Sequence, residues 1–178
     1  MFVLHHVTKH MNPNLNFKAP WSATLKLITL LCCVICGGIA LAGILNFTDM
    51  PGTAKWTMIV IPFAILLGSF PFMVRGYTLE DQHLIIHRLG WTTRFDLSSL
   101  NSATVDPQAM ARSIRLFGNG GLFSFCGLFR NRHLGNYRAF ATAPQNSVVL
   151  RFPKRTLVIT PDDPQRFANE ITKAKSQP

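Results

Sequence analysis

The chain has 178 residues, of which 48% are hydrophobic, and its 18 Lys and Arg against 8 Asp and Glu give a formal net charge of +10 at pH 7. So basic a chain invites comparison with nucleic-acid-binding proteins, but it carries no recognition-helix or RNA-binding signature, which argues against nucleic acid as a partner. The sequence also contains no internal repeat and no low-complexity tract.

Two uncharged apolar stretches, residues 27–48 and 56–74, are each long enough to cross a bilayer as a helix. At about 1.5 Å rise per residue, roughly 20 helical residues span a hydrocarbon core of roughly 30 Å. The short segment between them contains Pro51-Gly52, which is a turn signal. The sequence therefore predicts a transmembrane helical hairpin, and a membrane anchor further disfavours a nucleic-acid partner.

This hairpin divides the chain into a tail at residues 1–26, two spans within 27–74 and a globular domain at 75–178. Cationic flanks of membrane spans remain on the cytoplasmic side. The flanking cations are Lys9, Lys18 and Lys26 before the first span and Arg75, Arg88 and Arg94 after the second. We therefore predict that both termini and the domain are cytoplasmic. The alternative is a cleaved secretory signal ending near residues 40–42. The sequence does not decide whether translation starts at Met1 or at Met11.

Small residues four apart predict how the two spans pack. The first span has Cys32, Cys36, Ala40 and Gly43 on one helical face, and the second has Ala64 and Gly68. Such residues let helices approach closely in lipid, which favours packing within the hairpin, with homodimerisation as the alternative. Pro62 predicts a kink. The three span cysteines and the distant Cys126 do not form the paired ligand sets of a zinc site, so we expect no metal and no cofactor.

Beyond residue 75 the pattern changes to the alternation typical of strands. Seven strands are predicted, at residues 76–80, 83–88, 92–96, 101–105, 136–142, 147–152 and 156–160. Asp81 marks a turn, and residues 107–112 form either a short helix or a loop. Strands at this short spacing predict an antiparallel sandwich or barrel.

A C-terminal helix is predicted to begin at Asp162-Asp163-Pro164, where a capping carboxylate precedes proline in the first turn. Phe167 and Ile171 then form an apolar stripe that closes one end of the barrel. A seven-stranded antiparallel barrel or sandwich followed by one helix is the order of a pleckstrin-homology (PH) domain.

The segment rich in glycine and aromatic residues resembles a signature of bacterial PH-like domains. The residues that carry the resemblance are Arg115-Leu116-Phe117-Gly118, Gly120-Gly121-Leu122-Phe123, Gly127, the segments 134–142 and 159–164, and Phe167. It covers residues 76–171 and implies a PH-like fold in a bacterial inner-membrane protein, since two spans ahead of such a domain are familiar in that family. The family carries no agreed catalytic residues, so the resemblance assigns none here.

Glycines 118, 120 and 121 predict a tight connection, because glycine permits positive φ and close backbone approach. Large apolar residues crowd around it, namely Leu116, Phe117, Leu122, Phe123, Phe125, Leu128 and Phe129. Two interpretations remain open: these side chains enter the barrel core, which we favour, or the tip contacts the membrane or a partner. The glycine spacing matches neither a dinucleotide fingerprint nor a P-loop.

Charge is the main functional indication. From residue 75 onward, 14 Lys and Arg against 7 Asp and Glu leave a net charge of +7. Two basic clusters stand out, Arg130, Arg132 and His133 after the aromatic segment, and Arg151, Lys154 and Arg155 around a predicted hairpin turn. A cation near an anionic leaflet gains about 1 kcal/mol. We therefore predict that these residues contact anionic lipid headgroups or an acidic partner; ordinary solvated residues are the alternative.

Catalysis finds little support in the sequence. No nucleophile elbow is present, and His83 and His87 on one strand would stand about 13 Å apart, too far to share an ion. His5, His6 and His10 fall in a tail predicted to be disordered. We predict a non-enzymatic scaffold or regulatory module that binds a protein partner, itself or anionic lipid. The alternatives are an accessory subunit of a transporter or envelope-stress system, and a membrane enzyme that needs a second chain.

Overall fold

The structure is a computed structural model that describes residues 15–46, 51–80 and 82–176, with side chains described up to Lys173. The predictions for His5, His6, His10 and the start at Met11, for most of the loop between the helices and for the turn at Asp81 lie outside these residues.

Two long helices, α1 (Ala23–Leu45) and α2 (Gly52–Ser69), occupy the apolar stretches. The Oγ of Ser22 accepts a hydrogen bond from the Leu25 amide at 3.1 Å, so α1 begins before the uncharged run. A short 3-10 turn, Phe70–Phe72, follows α2. Both helices are long and apolar enough to cross a membrane, and most of their large apolar side chains are exposed.

The helices pack closely at one of the two predicted faces. Ala40 and Gly43 of α1 are buried, and a Cβ on Gly43 would lie 3.0 Å from the Cβ of Met58. The prediction for α2 is wrong: Ala64 and Gly68 are exposed, with open space at Gly68. Pro62 is the buried residue of α2, because α1 packs against the side of α2 that carries Pro62 and not against the side that carries Ala64 and Gly68.

Two sheets form the β-rich domain. The first contains four antiparallel strands in chain order, β1 (Leu15–Lys18), β2 (Val74–Glu80), β3 (His83–Arg88) and β4 (Thr92–Asp96). The second contains β5 (Ser102–Val105), β6 (Ile114–Gly120), β7 (Phe125–Asn131), β8 (Gly135–Ala141), β9 (Val148–Arg151) and β10 (Thr156–Ile159). Its order is β5-β9-β10-β8-β7-β6, and only β8 and β10 are parallel.

The seven predicted strands are present to within two residues, but three described strands were missed. β1 lies in the predicted tail, where its register pairs it with β2. β6 and β7 replace the predicted glycine-rich connection, and residues 107–112 form turns. Glycines and a bulge at Leu116 interrupt alternation in β6, so the period-2 signal is lost there although the strands pair.

The main core lies between the two sheets and α3 (Pro164–Ser176). Phe167 and Ile171 are buried in it, as the C-terminal stripe predicts, and Asp163 Oδ1 accepts from the Arg166 amide at 3.0 Å. A smaller cluster on the outer face of the six-stranded sheet packs Ala109 against Phe129 and Tyr137. The turns of residues 106–113 therefore cover that outer face.

Candidate functional site

The helices dock on one end of the domain, which we call the junction end. The Ser22 amide donates to the Thr142 carbonyl at 3.1 Å, just beyond the last residue of β8. Thr29 Oγ1 of α1 donates to the Gly121 carbonyl at 3.2 Å and accepts from the Phe123 amide at 3.1 Å. The β6–β7 turn is therefore held against the second turn of α1.

Aromatic side chains surround this junction. Phe123 lies between Trp21 and Phe70, with ring centroids 6.5 Å and 5.4 Å away. Phe72 packs edge-on against Trp91 at 4.9 Å. Such a ring of aromatic residues is typical of a membrane–water interface.

Both predicted basic clusters lie at the opposite end of the six-stranded sheet, which we call the basic end. Arg130, Arg132 and His133 lie at the β7–β8 turn, and Arg151, Lys154 and Arg155 at the β9–β10 turn. Because β8 and β10 are parallel, with Leu157 beside Arg138, the two turns fall at the same end of the sheet. The structure thus places together two clusters that are separated in sequence.

The length of β8 separates the basic end from the junction end. β8 contains seven residues, and at about 3.3 Å per residue it spans roughly 20 Å. Its first residue, Gly135, lies in the basic end, and the residue after its last, Thr142, binds Ser22. The basic clusters are therefore far from the helices.

A groove of ≈ 980 Å³ opens at the first basic cluster. Its walls include Asp106, Arg112, Ile114, Arg130, Arg132 and His133. His133 Nε2 lies 3.3 Å from Asp106 Oδ2, which ties the β7–β8 turn to the 106–113 segment. Asn131 strengthens this link by donating to the Ala109 carbonyl at 2.8 Å and accepting from the Leu134 amide at 2.7 Å.

The second cluster is built around aromatic rings. The guanidinium of Arg155 lies 5.0 Å from the ring centroid of Phe152 and 5.1 Å from that of Phe95, so cation–π contacts hold it against the four-stranded sheet. Arg151 and Lys154 are exposed. Arg155 is exposed as well, but its guanidinium is positioned by the two aromatic rings.

Sequence reasoning missed a wider charge signal. Residues 107–161 contain eight Lys and Arg and no Asp or Glu. Strands β6 to β10 lie entirely within this acid-free run, and Arg112, Arg115 and Arg138 add to the predicted clusters. Counting acids along the chain, rather than seeking neighbouring cations, identifies strands β6 to β10 as a basic region.

Some of the large apolar residues near glycines 118, 120 and 121 lie in the core, and others lie on the surface. Phe129 is buried, but Ile114, Leu116 and Phe117 of β6 are 70%, 50% and 79% exposed. The core prediction is therefore wrong for Leu116 and Phe117, because β6 is the outermost strand of its sheet. Phe123 packs against Trp21 and Phe70 at the junction, so the tip contacts the helical hairpin of the same chain.

The described titratable groups form no obvious reactive centre. Among the described residues, no three His, Cys, Asp or Glu side chains come together as metal ligands. Burial raises the pKa of the Cys126 thiol, although Arg88, 3.8 Å from its Sγ, opposes this effect. Burial in turn lowers the pKa of Arg88. His87 Nε2 contacts Thr78 Oγ1 at 2.8 Å within its sheet.

Two stacked sheets, a C-terminal helix that closes the core and a pair of apolar helices define the chain as a PH-like domain with an N-terminal helical hairpin. The family described as Bacterial PH domain matches residues 75–175, and the chain belongs to this family. No match was found among curated proteins. The family establishes the fold and not a ligand.

Proposed function

We propose that this protein is a two-span bacterial inner-membrane protein whose PH-like domain binds an acidic protein partner through the basic end. The exposed apolar surfaces of α1 and α2 support the membrane anchor. In this arrangement the helices hold the domain at the bilayer, and both termini and the domain face the cytoplasm.

The observation that carries the proposal is the position of the basic end, roughly 20 Å from the junction end along β8. In the proposed arrangement β8 points away from the bilayer. The Debye length at physiological ionic strength is about 8 Å, so exposed charges at the far end of β8 are then largely screened from the headgroups. The cations that flank the spans, Lys18, Lys26 and Arg75, already lie near the junction end, so contact with headgroups does not require the distant basic end. This arrangement favours a soluble acidic surface over anionic headgroups of the same leaflet.

The chemistry of the basic end fits a protein surface. Arg130, Arg132 and Arg151 are exposed guanidinium groups, and a guanidinium binds a carboxylate through two parallel hydrogen bonds. The groove beside His133 adds a concave surface with an apolar wall at Ile114. Binding, rather than catalysis, is therefore the role proposed, as a scaffold or regulatory module. An accessory subunit of a transporter or stress system would use the same surface.

Site-specific photo-crosslinking in intact cells tests this proposal. Arg132→p-benzoylphenylalanine places the probe at the basic end, and Arg75→p-benzoylphenylalanine, an exposed residue at the start of β2, places it near the helices. We expect position 132 to crosslink to protein and position 75 to crosslink to lipid. The double variant Arg130→Glu/Arg132→Glu should weaken retention of the crosslinked partner, whereas the charge-matched control Arg75→Glu/Arg94→Glu should not.

Lipid adducts alone at position 132 would refute the proposed partner and favour headgroup binding. Equal loss of the partner in the charge-matched control would also contradict it, because the effect would then follow net charge and not the basic end.

A further inference from the structure

Strand β6 is an open edge of the six-stranded sheet. In the described part of the chain, β6 pairs with β7 on one side and with no strand on the other. Every residue from Ile114 to Gly118 is exposed. An edge strand directs alternate N–H and C=O groups outward, and these can pair with an added strand.

The edge also carries the apolar side chains that an added strand would cover. Among the residues whose side chains the structure describes, and apart from the helices and the turn that follows them, the exposed large hydrophobic residues are Leu89, Trp91, Ile114, Leu116 and Phe117. Three of these five lie in β6. Ile114 and Phe117 share a face of the sheet, because they pair with Arg130 and Leu128, which are two residues apart in β7. An apolar strip therefore follows the unpaired backbone.

The charges around this edge indicate which kind of strand can bind there. Arg112 and Arg115 are exposed at its start, and no acidic residue occurs anywhere between Asp106 and Asp162. A second copy of β6 carries the same arginines and no carboxylate, so it offers Arg112 and Arg115 no complementary charge. A strand with carboxylates beside its apolar side chains would instead complement them.

We propose that the open edge of β6 binds an extended, acidic and apolar peptide segment of a protein partner by strand addition. Backbone hydrogen bonds to β6 supply affinity, contacts with Ile114 and Phe117 supply apolar burial, and Arg112 and Arg115 select carboxylates. The bulge at Leu116 interrupts the ladder between Arg115 and Phe117, so the bound strand pairs on both sides of a bend. Arg112 and Ile114 at the start of this edge also line the groove of the basic end, so the inference deepens the proposed function and rests on it.

A defined peptide tests the proposal on the full-length protein in nanodiscs of zwitterionic lipid. The probe is a fluorescein-labelled octapeptide that alternates valine and glutamate, and its binding is measured by fluorescence anisotropy. We expect saturable binding that is at least about tenfold tighter than that of a valine–lysine octapeptide. N-methylation of alternate backbone amides on the valine–glutamate peptide should abolish binding, because it removes the ladder donors.

Two variants locate the site. Ile114→Ser/Phe117→Ser should lower the affinity for the acidic peptide by about tenfold or more. The matched surface change Leu89→Ser should leave this affinity unchanged. Arg112→Glu/Arg115→Glu should reverse the preference, so that the valine–lysine peptide binds more tightly. A misfolded variant would lose binding and not gain a new preference, so this reversal is independent of stability.

Several outcomes would overturn the proposal. These are absence of saturable binding, equal binding of the N-methylated peptide, and unchanged binding by the Ile114→Ser/Phe117→Ser protein. If the Phe117→Cys protein formed a disulfide-linked dimer in membranes, and the acidic peptide did not prevent this dimer, a second copy would occupy the edge instead. Crosslinking from position 132 does not require strand pairing, so a protein adduct there without peptide binding here would refute strand addition and leave the proposed function standing.

Discussion

At the residue scale, one buried hydroxyl joins the two sheets. Tyr77 Oη of β2 donates to the Phe140 carbonyl at 2.6 Å and accepts from the Thr160 amide at 3.2 Å. Tyr77 is almost fully buried, and its burial raises its pKa from 10.0 to about 12. This single side chain therefore satisfies polar backbone groups of the six-stranded sheet from the four-stranded one.

Tyr77→Phe should lower the free energy of unfolding by about 1–3 kcal/mol, because it leaves a buried carbonyl and a buried amide without their partner. Thermal unfolding of the detergent-solubilised protein measures the change. Tyr137→Phe is the control, since that hydroxyl contacts Ser113 at 2.6 Å near the surface and should cost less. Equal losses in the two variants would contradict the special role of Tyr77.

Alkaline pH should destabilise the protein through the same group. In the unfolded chain Tyr77 loses its proton near pH 10.0, whereas in the folded protein it keeps it to about pH 12. Between these values the folded state binds more protons, so stability is fully present below pH 10 and falls as pH rises toward 12. Tyr77→Phe should show a shallower decline than wild type between pH 9 and 11, measured by unfolding midpoints.

Two facing glycines allow β6 and β7 to approach each other. Gly118 (φ 101°) and Gly127 (φ 149°) pair directly, and a Cβ on either would overlap a backbone carbonyl of the opposite strand. Gly118→Ala should therefore cost about 2 kcal/mol or more, read as a lower unfolding midpoint. Gly135→Asn is the control, because Gly135 has φ 67° and open space around it and asparagine tolerates that conformation. A control as unstable as Gly118→Ala would refute the steric reason.

At the element scale, β1 makes the segment before the helices part of the domain. Phe17 is buried against Phe167 of α3, with ring centroids 4.9 Å apart. Phe17→Ala should destabilise the domain by about 3–5 kcal/mol, the usual cost of removing a buried phenylalanine. Lys18→Ala, an exposed neighbour in the same strand, should change stability little. If both variants unfold at the wild-type midpoint, β1 does not contribute to the core.

The contact of α1 with the β6–β7 turn depends on one hydroxyl, that of Thr29. Thr29→Val keeps the shape but removes both hydrogen bonds to the turn. Amide hydrogen exchange at Phe123 should become about fivefold faster or more, because one hydrogen bond is worth about 1 kcal/mol or more at a buried site. Thr29→Ser retains the hydroxyl and should preserve slow exchange. Fast exchange in the serine variant would indicate a packing effect instead.

At the scale of the whole molecule, the helices leave and re-enter the domain at one end, so the end of α1 at Leu45 and the start of α2 at Gly52 lie on the far side of any membrane they cross. In a cysteine-free background, Gly52→Cys should react with a membrane-impermeant maleimide from outside the inner membrane. Lys154→Cys should react only after the membrane is opened. Reaction of both positions from the same side of a sealed membrane would contradict the two-span topology.

Local physical chemistry explains which parts of this structure could be predicted. Length and apolarity mark α1 and α2, alternation marks strands such as β3 and β4, and the Asp163 cap marks the start of α3. β6 could not be predicted in this way, because Gly118, Gly120 and the Leu116 bulge remove the alternation that a strand shows. The exposure of Phe117 could not be predicted either, because only the order of strands in the sheet shows that this apolar residue lies at an edge.

The sequence by itself determined the pair of apolar helices, the β-rich domain, its family resemblance and its positive charge, because each of these follows from composition or from neighbouring residues. The tertiary structure decided where that charge lies. Parallel pairing of β8 with β10 places the β7–β8 and β9–β10 turns at one end, and the Ser22–Thr142 hydrogen bond places the helices at the other. Strand register joins residues far apart in the chain, and local patterns carry no information about such distant pairs.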